Sequence, residues 1–342
     1  MDILWHNETL FKNPEVFDYA YLPESLDYRS GQINALADSL KQALRGFKPT
    51  NCLILGDTAT GKTSAIKLVI EEYKKVDNKL IPIYINAGMC RTTFNIFSEI
   101  HRALFNFTPP ATGSPLLGLQ EKIFKKLQET KKILLVILDD ALYAEDINKV
   151  VYDLLRAGEI YQGVKTGIWA VFLPEEMPFD KKSFTVFSPY KIIFPKYTEK
   201  ELVEILKKRA EIGLYPSVAS PSIIKKIAEF TLGNDLRLGI ELLKQATIEA
   251  ENSSSKIIIE KHIEKAINNL QVLEKKQDKQ ESLILNLLTE PISSGNLFEL
   301  IKEKSNISYS TFYRLIEKLK NQGLIEIKEI NDRGKTRIIS KV

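Results

Sequence analysis

The sequence has little of what secreted, metal-stapled or membrane proteins need. Two cysteines, Cys52 and Cys90, cannot build a disulfide framework, and three histidines leave little for a classical zinc site. The longest purely aliphatic run is residues 133–138, far short of the ~20 residues of a membrane span. The amino terminus, M-D-I-L-W-H-N-E, puts an acid second and no basic residue before an apolar stretch, so it does not read as a signal peptide. No internal repeat is visible, and the three serines at 253–255 are the sole low-complexity hint. These absences set aside secreted, membrane and zinc-finger classes and make a reducing cytoplasm the expected compartment. What remains is ordinary globular composition, 44% hydrophobic and 27% charged over 342 residues. That length suits two or three domains, each burying its own core.

Net charge is also small, +4, but it is unevenly placed. Residues 275–342 hold 13 basic and 9 acidic side chains, and the preceding chain balances at 35 against 35. The whole surplus therefore belongs to the carboxyl-terminal segment, which makes nucleic acid the first partner to consider. From charge alone, a solvated lysine-rich surface is the better explanation.

An aromatic-rich arm of 20 or so residues is followed by helical periodicity from Arg29 to Arg45, with Ile33, Leu36, Leu40 and Leu44 on one face. Short apolar runs at 52–55, 80–85, 133–138, 168–173 and 191–194 alternate with helical stretches. That alternation predicts a parallel sheet covered on both faces. From Thr198 to about Leu273 the pattern is helical only, opened by the capping box Thr198-Glu199-Lys200-Glu201, with Ser220-Pro221 starting a second helix and Gly233 ending it. Residues 275–280 read as a polar, charged linker, and the remainder as three helices and a β-hairpin around 331–334.

The strongest chemical signal is Gly56-Asp57-Thr58-Ala59-Thr60-Gly61-Lys62-Thr63, which satisfies G-x-x-x-x-G-K-[ST] between an expected strand and an expected helix. Glycines let backbone N–H groups wrap phosphates, and the following helix, through Ser64, points its positive end at them. Lys62 reaches the β- and γ-phosphates and Thr63 offers an oxygen to Mg²⁺. At the end of the run 133–138 come Asp139 and Asp140, at the carboxyl edge of a buried parallel strand, where the P-loop also sits. Asp139 is the expected Walker B ligand of Mg²⁺, and Asp140 stands where a general base or water-positioning carboxylate belongs. Without the P-loop, the same two acids read as loop residues capping a helix. Arg237, in Gly233-Asn234-Asp235-Leu236-Arg237, is placed to reach a γ-phosphate, or else is a helix-start arginine paired with Asp235.

Taken in order, these motifs resemble the origin-recognition-complex/cell-division-control initiator family of AAA+ proteins, particularly its archaeal members, with a divergent paralogue included. The resemblance runs through Tyr21-Leu22-Pro23, Tyr28-Arg29-x-x-Gln32, the P-loop, the Walker B strand, Phe194-x-x-Tyr197-Thr198, Glu204-Ile205-Leu206-x-x-Arg209-Ala210 and Gly233-x-Asp235-x-Arg237, and covers essentially the whole chain. It implies an α/β P-loop AAA+ base over 1–195 with an arm over about 1–28, an all-helical lid over 196–274, and a winged helix over 275–342. It also implies that Tyr28 and Arg29 lie near the adenine, that Tyr197 lines its pocket, and that Arg237 is the sensor-2 arginine. Residues 109–127 fall where the family inserts DNA-touching helices, though Leu117, Leu119, Ile123 and Leu127 equally fit an ordinary packed helix. ATP or ADP with Mg²⁺ are the implied cofactors.

Departures from the family pattern matter for catalysis. Walker B ends in Asp139-Asp140 instead of Asp-Glu, one methylene shorter. The run Ile168-Trp169-Ala170-Val171-Phe172-Leu173-Pro174 offers no polar residue where the sensor-1 asparagine belongs, and the trans-acting arginine has no clear match beyond Lys181 or Lys182. Water positioning supplies much of phosphoryl transfer, and an arginine finger contributes 10³–10⁵. Nucleotide binding with slow or absent hydrolysis is the expectation.

In the last segment, residues 283–288 and 297–301 give two amphipathic helices and Asn306–Leu319 a third, burying Phe312, Leu315, Ile316 and Leu319. Ser308, Tyr309, Ser310, Tyr313 and Arg314 are left for base edges and phosphates of a major groove. The hairpin carries Arg333, Lys335 and Arg337 toward backbone or minor groove. A winged helix also binds proteins in other settings. The reading is an ATP/ADP-binding, origin-type initiator that grips duplex DNA, associated with the nucleoid, with paralogous initiators or a helicase as further partners. A transcription regulator or mobile-element protein on the same scaffold is the alternative. A ring-forming remodelling ATPase is disfavoured by the apolar sensor-1 position.

Overall fold

The computed structural model describes residues 9–110, 115–176, 178–232, 235–288, 290–305, 307–321, 324–331 and 335–341, with side chains for all of these except 271–279, 321, 328–331 and 335–336. By its internal contacts the chain forms two compact units, Met1–Lys244 and Gln245–Val342.

The first unit is built on five parallel strands, β1 (Cys52–Gly56), β2 (Leu80–Asn86), β3 (Ile133–Asp139), β4 (Lys165–Phe172) and β5 (Tyr190–Phe194), in the order β2-β3-β4-β1-β5. Strand β3 is buried along its whole length, which is why it reads as an uninterrupted aliphatic run. Its side chains alternate between two cores. Leu134, Val136 and Leu138 pack with α3 (Thr93–Phe105), α4 (Leu116–Thr130), α5 (Ile147–Leu155) and α7 (Lys181–Phe187). Ile133, Leu135 and Ile137 pack with α1 (Ser30–Leu44) and α2 (Lys62–Val76). The short α6 (Ala157–Ile160) leads into β4. Strand β4 starts three residues before its apolar run because Thr166 Oγ1 donates to Leu154 O at 2.7 Å and Gly167 lets Pro49 pack where a Cβ would sit 2.4 Å from its ring. Polar and glycine residues thus begin a buried strand without interrupting it.

After β5 comes α8 (Glu199–Gly213), whose capping box is formed as expected: Glu201 N donates to Thr198 Oγ1 and Thr198 N to Glu201 Oε2, at 3.4 and 2.7 Å. Helix α9 (Pro221–Leu232) follows, then α10 (Leu236–Asn252), capped by Asp235 Oδ1 accepting from Leu238 N at 3.0 Å. The described part of the arm is strapped along α8. Phe11 bridges to Leu214, Lys12 N and Asn13 N donate to Gly213 O, and Arg209 Nη1 donates to Val16 O at 2.7 Å. Arg209 also lies 4.4 Å from the Tyr21 ring, and Lys208 pairs with Asp27 at 2.6 Å. Gly213 is required there, since a Cβ would meet the Phe17 ring at 2.4 Å.

In the second unit α11 (Glu260–Leu287) runs unbroken through 275–280, so the expected polar linker is helix. Its lysines and glutamines are good helix formers, and a charged run without glycine or proline does nothing to stop one. Helices α12 (Ser294–Ser305) and α13 (Tyr309–Asn321) then pack under an antiparallel sheet of order β6-β8-β7, from β6 (Ile292–Ser293), β7 (Ile325–Asn331) and β8 (Lys335–Lys341). Phe312, Leu315, Ile316 and Leu319 are buried with Ile284, Leu297 and Ile339, giving the winged-helix arrangement.

Where α11 begins, His262 is buried and caps the turn: Nδ1 accepts from Ile259 N at 3.3 Å and Nε2 meets Ser253 Oγ at 2.9 Å. Burial, helped by Lys265, holds its pKa below the ordinary histidine value. The folded state therefore binds this proton less readily than the unfolded chain. Its stabilising contribution is complete above about pH 6.5 and drains away as pH falls through that value toward the depressed folded pKa. Urea midpoints should fall less steeply below that pH in His262→Gln than in the wild type, and parallel curves would remove His262 from the account.

Candidate functional site

The carboxyl ends of β1, β3 and β4 open into one cleft of about 830 Å³, lined by residues 58–64, Asp139, Asp140, Tyr197 and Arg237 among others. Its floor is the loop from β1 into α2. Gly56 admits no side chain, because a Cβ would lie 2.6 Å from Phe194 O, and Gly61 has φ +91° with Tyr197 Oη 2.9 Å from where its Cβ would be. The loop turns back on itself through Thr60 Oγ1, which donates to Asp57 O at 2.8 Å. Lys62 Nζ donates to Gly56 O and Asp57 O at 2.7 and 2.6 Å, so the ammonium lies at the mouth of the loop. Burial lowers its pKa, and Asp139, Asp140 and Asp57 oppose that shift. Lys62 opens α2, whose free N–H groups and positive end face the same space.

Opposite the loop stands Asp139, the last residue of β3 and only 6% exposed. Its Oδ2 accepts from Thr63 Oγ1 at 2.8 Å and from Tyr84 Oη, and its Oδ1 from Asp140 N at 3.1 Å. Burial and the adjoining Asp139 push the Tyr84 phenol pKa up. Thr63 and Asp139 thus present a hydroxyl and a carboxylate oxygen side by side, the hard donor set that suits Mg²⁺ shared with phosphate oxygens. Among the described residues no cluster of three or more histidine, cysteine, aspartate or glutamate side chains is placed to hold a metal ion. Asp140 is exposed, with a left-handed φ of 52°, and its Oδ2 accepts from Asn86 Nδ2 at 3.0 Å. Neither Tyr84 nor Asn86 was visible from motifs. The signal that locates them is the parallel register, which sets Asn86 beside Asp139.

The other side chains expected at the nucleotide divide into two groups. Tyr197 and Arg237 line the cleft, with Leu22, Pro23, Ile205, Ile212 and Ile240 supplying apolar wall. Tyr28 and Arg29 are not among the lining residues. Tyr28 has φ 62°, and Arg29, 1% exposed, is committed to carbonyl groups: Nε to Thr60 O, Nη1 to Tyr28 O and Nη2 to Pro195 O at 2.9, 2.9 and 2.7 Å. Its guanidinium lies 3.8 Å from the centre of the Tyr197 ring. Arg29 therefore ties the phosphate loop to the end of β5 and backs Tyr197. At the tip of β4, Val171, Phe172 and Leu173 line the cleft with Glu176, whose Oε2 accepts from Leu173 N at 3.2 Å. Lys182 Nζ lies 4.3 Å from the Tyr152 ring, and Lys181 begins α7.

In the second unit, Ser308 Oγ accepts from Thr311 N at 3.2 Å as the cap of α13 and lies 2.9 Å from Ser310 Oγ. Tyr309 is exposed but sets its ring edge-on to Phe298 at 5.0 Å. Tyr313 and Arg314 face outward, and Arg337 Nη1 donates to Tyr313 Oη at 2.9 Å, so helix and hairpin share one polar contact. Lys335 opens β8, with its side chain outside the described residues, and Arg333 lies outside them altogether. In α4, Leu119, Ile123 and Leu127 are buried in the sheet core, while Leu117 is exposed. The apolar stripe of 109–127 is thus mainly packing, and residues 111–114 lie outside the described residues.

A family model for the Cdc6 AAA+ ATPase-type lid domain matches residues 203–268. The chain is 39% identical to ORC1-type DNA replication protein 2 of Methanothermobacter thermautotrophicus, over 99% of this chain and 93% of that one. It is 34% identical to the protein of the same description from Methanosarcina mazei, over 99% and 95%. Among solved structures, Aeropyrum pernix ORC1 in complex with DNA has a TM-score of 0.72 at 24% identity, covering 97% of this chain and 93% of that chain. Aeropyrum pernix ORC2, as ADPNP-ADP complexes, has a TM-score of 0.64 at 25% identity, covering 97% and 94%.

Proposed function

The chain belongs to the archaeal ORC1/Cdc6 family of AAA+ DNA replication proteins, and on that premise we propose that it is an origin-binding initiator that holds ATP or ADP with Mg²⁺ and grips duplex DNA through its winged helix. The observation that carries the nucleotide half is one cleft gathering residues 58–64, Asp139, Asp140 and Arg237. Backbone N–H groups of the loop and Lys62 bind phosphate, Tyr197 and the apolar wall take the base, and Arg237 reaches across to the phosphate end. Mg²⁺, when bound between Thr63 and Asp139, neutralises phosphate charge. Arg29 keeps the loop in register and Tyr28 shapes the turn before it. The division into a base over 1–195, a lid over 196–274 and a winged helix over 275–342 is part of this proposal, supported by the lid match at 203–268.

For DNA, Tyr313 and Arg314 on α13, with Arg333, Lys335 and Arg337 on the hairpin, form the proposed contact. Ser308, Tyr309 and Ser310 stand at the helix start, and residues 109–127, where Leu117 is exposed, are the proposed second contact on the first unit. Mapping bound sites across the genome in cells tests the role. Enrichment at origins is expected, and enrichment at promoters alone would favour a transcription regulator.

Hydrolysis should be slow. Asp140 is held by Asn86, and the run 168–174 brings no polar side chain to the cleft to orient water. The purified protein should turn over ATP well below the roughly 1 s⁻¹ at the low end of ordinary enzymes. Asp140→Glu should raise the rate only modestly, because Val171, Phe172 and Leu173 at the end of β4 still offer no polar side chain. Several turnovers per second, measured as phosphate release, would overturn this.

A further inference from the structure

Tyr84 sits in an unusual relation to the acid that ends β3. Side chains on one strand face alternate, so Tyr84 shares a face with Leu80, which packs in the core formed by α1 and α2. Register places Tyr84 beside Ile137 and Asn86 beside Asp139. Asp139 is therefore two residues further along the neighbouring strand on the same face, a diagonal that long side chains can span. The phenol does span it and donates to Asp139 Oδ2. Lys67 Nζ on α2 lies 5.7 Å from the ring centre, and the residue is 39% exposed at the cleft wall.

The Asp139 carboxylate is consequently held by three donors. Thr63 Oγ1 and Tyr84 Oη share Oδ2, and Asp140 N holds Oδ1. Asp140 is its covalent neighbour and Thr63 belongs to the phosphate loop, so of these three only the tyrosine comes from another strand. The terminal torsion of an aspartate is broad and roughly two-fold, so a buried carboxylate takes its orientation from its donors. We propose that Tyr84 is a positioning residue that fixes the Asp139 carboxylate against Thr63 and thereby sets the divalent-cation dependence of nucleotide binding. The inference rests on the nucleotide and Mg²⁺ reading above and adds a determinant that lies outside the P-loop and Walker motifs. Loss of an outer-shell partner of a metal-binding group costs 10–100-fold in metal affinity, and that is the size of effect expected here.

Tyr84→Phe tests this with little risk to the fold, since it removes one oxygen and keeps the ring against α2. ADP binding by the full chain is measured calorimetrically at a series of free Mg²⁺ concentrations and in EDTA, for wild type, Tyr84→Phe and Asp139→Asn. The expected result is a rise of about tenfold or more in the Mg²⁺ concentration giving half the full enhancement in Tyr84→Phe. Its ADP affinity in EDTA and its unfolding temperature without nucleotide should match wild type. Asp139→Asn should lose the enhancement. An unchanged Mg²⁺ midpoint, or a lower one because the phenol only withdraws charge from the acid, would overturn the proposal. So would a parallel loss of affinity in EDTA, which would make Tyr84 part of the nucleotide cradle. If wild type binds ADP with no Mg²⁺ enhancement, the metal reading itself fails and takes this inference with it. If wild type does not bind ADP at all, the nucleotide reading has failed first.

Discussion

Lys62→Ala should weaken binding of ATP and ADP by more than about tenfold while leaving the fold in place. The ammonium lies at the mouth of the loop and donates to the loop carbonyls Gly56 O and Asp57 O. Breaking a desolvated, hydrogen-bonded charge contact costs 2–5 kcal/mol, equivalent to roughly thirty- to several-thousandfold in affinity. The lysine is at the first position of α2, where alanine is a good helix former, and the cores on either side of the sheet do not include it. Equilibrium binding and a thermal melt on the same preparation check both halves. A folded variant with wild-type affinity would remove the cleft from nucleotide binding.

The second large effect concerns DNA. Replacing Arg314, Arg333, Lys335 and Arg337 together by alanine should reduce the salt slope of duplex binding by about four units, if each meets one phosphate. Four fewer released counterions amount to a loss on the order of 10³-fold in affinity near physiological salt. Arg314→Ala alone, if it reads a guanine, should cost about 1–3 kcal/mol and relax preference at one base pair. Arg337→Ala differs from the other single substitutions because it also releases Tyr313 from its hydrogen bond, so its effect should exceed that of one phosphate contact. Titrating duplex binding against salt distinguishes these outcomes. An unchanged slope in the quadruple variant would return the charge surplus to an ordinary solvated surface.

How much of this was legible in the sequence depended on whether the information was local. Strand β3 and the P-loop were legible because burial on both faces demands an unbroken aliphatic run, and phosphate binding demands glycine at fixed spacing. The Thr198 capping box and the buried face of α13 were legible for the same reason: their partners lie three or four residues away. The start of β4 was hidden by Lys165, Thr166 and Gly167, whose fitness for a strand depends on Leu154 and Pro49. Residues 275–280 read as linker but are helix, because polarity indicates exposure and says nothing about helix. Around the cleft, Tyr84 and Asn86 escaped notice because only the register between two strands 50 residues apart brings them to Asp139 and Asp140. Arg29 was singled out by resemblance, but its attachment to Thr60 and Pro195 depends on where three separate segments meet.

The strapping of the arm along α8 has a temporal side. Residues 10–27 are made before α8, and their partners Arg209, Gly213 and Leu214 follow almost 200 residues later. At the usual 5–20 residues per second of synthesis, that interval lasts about 10–40 s. During it the sheet can assemble strand by strand while Phe11, Phe17 and Tyr21 still have nothing from α8 to lie against. The nascent chain thus owns a phosphate loop well before it owns the wall around it, and an aromatic segment waits in the open. That segment stays uncovered until α8 is made, because the residues that cover it follow it by almost 200 positions.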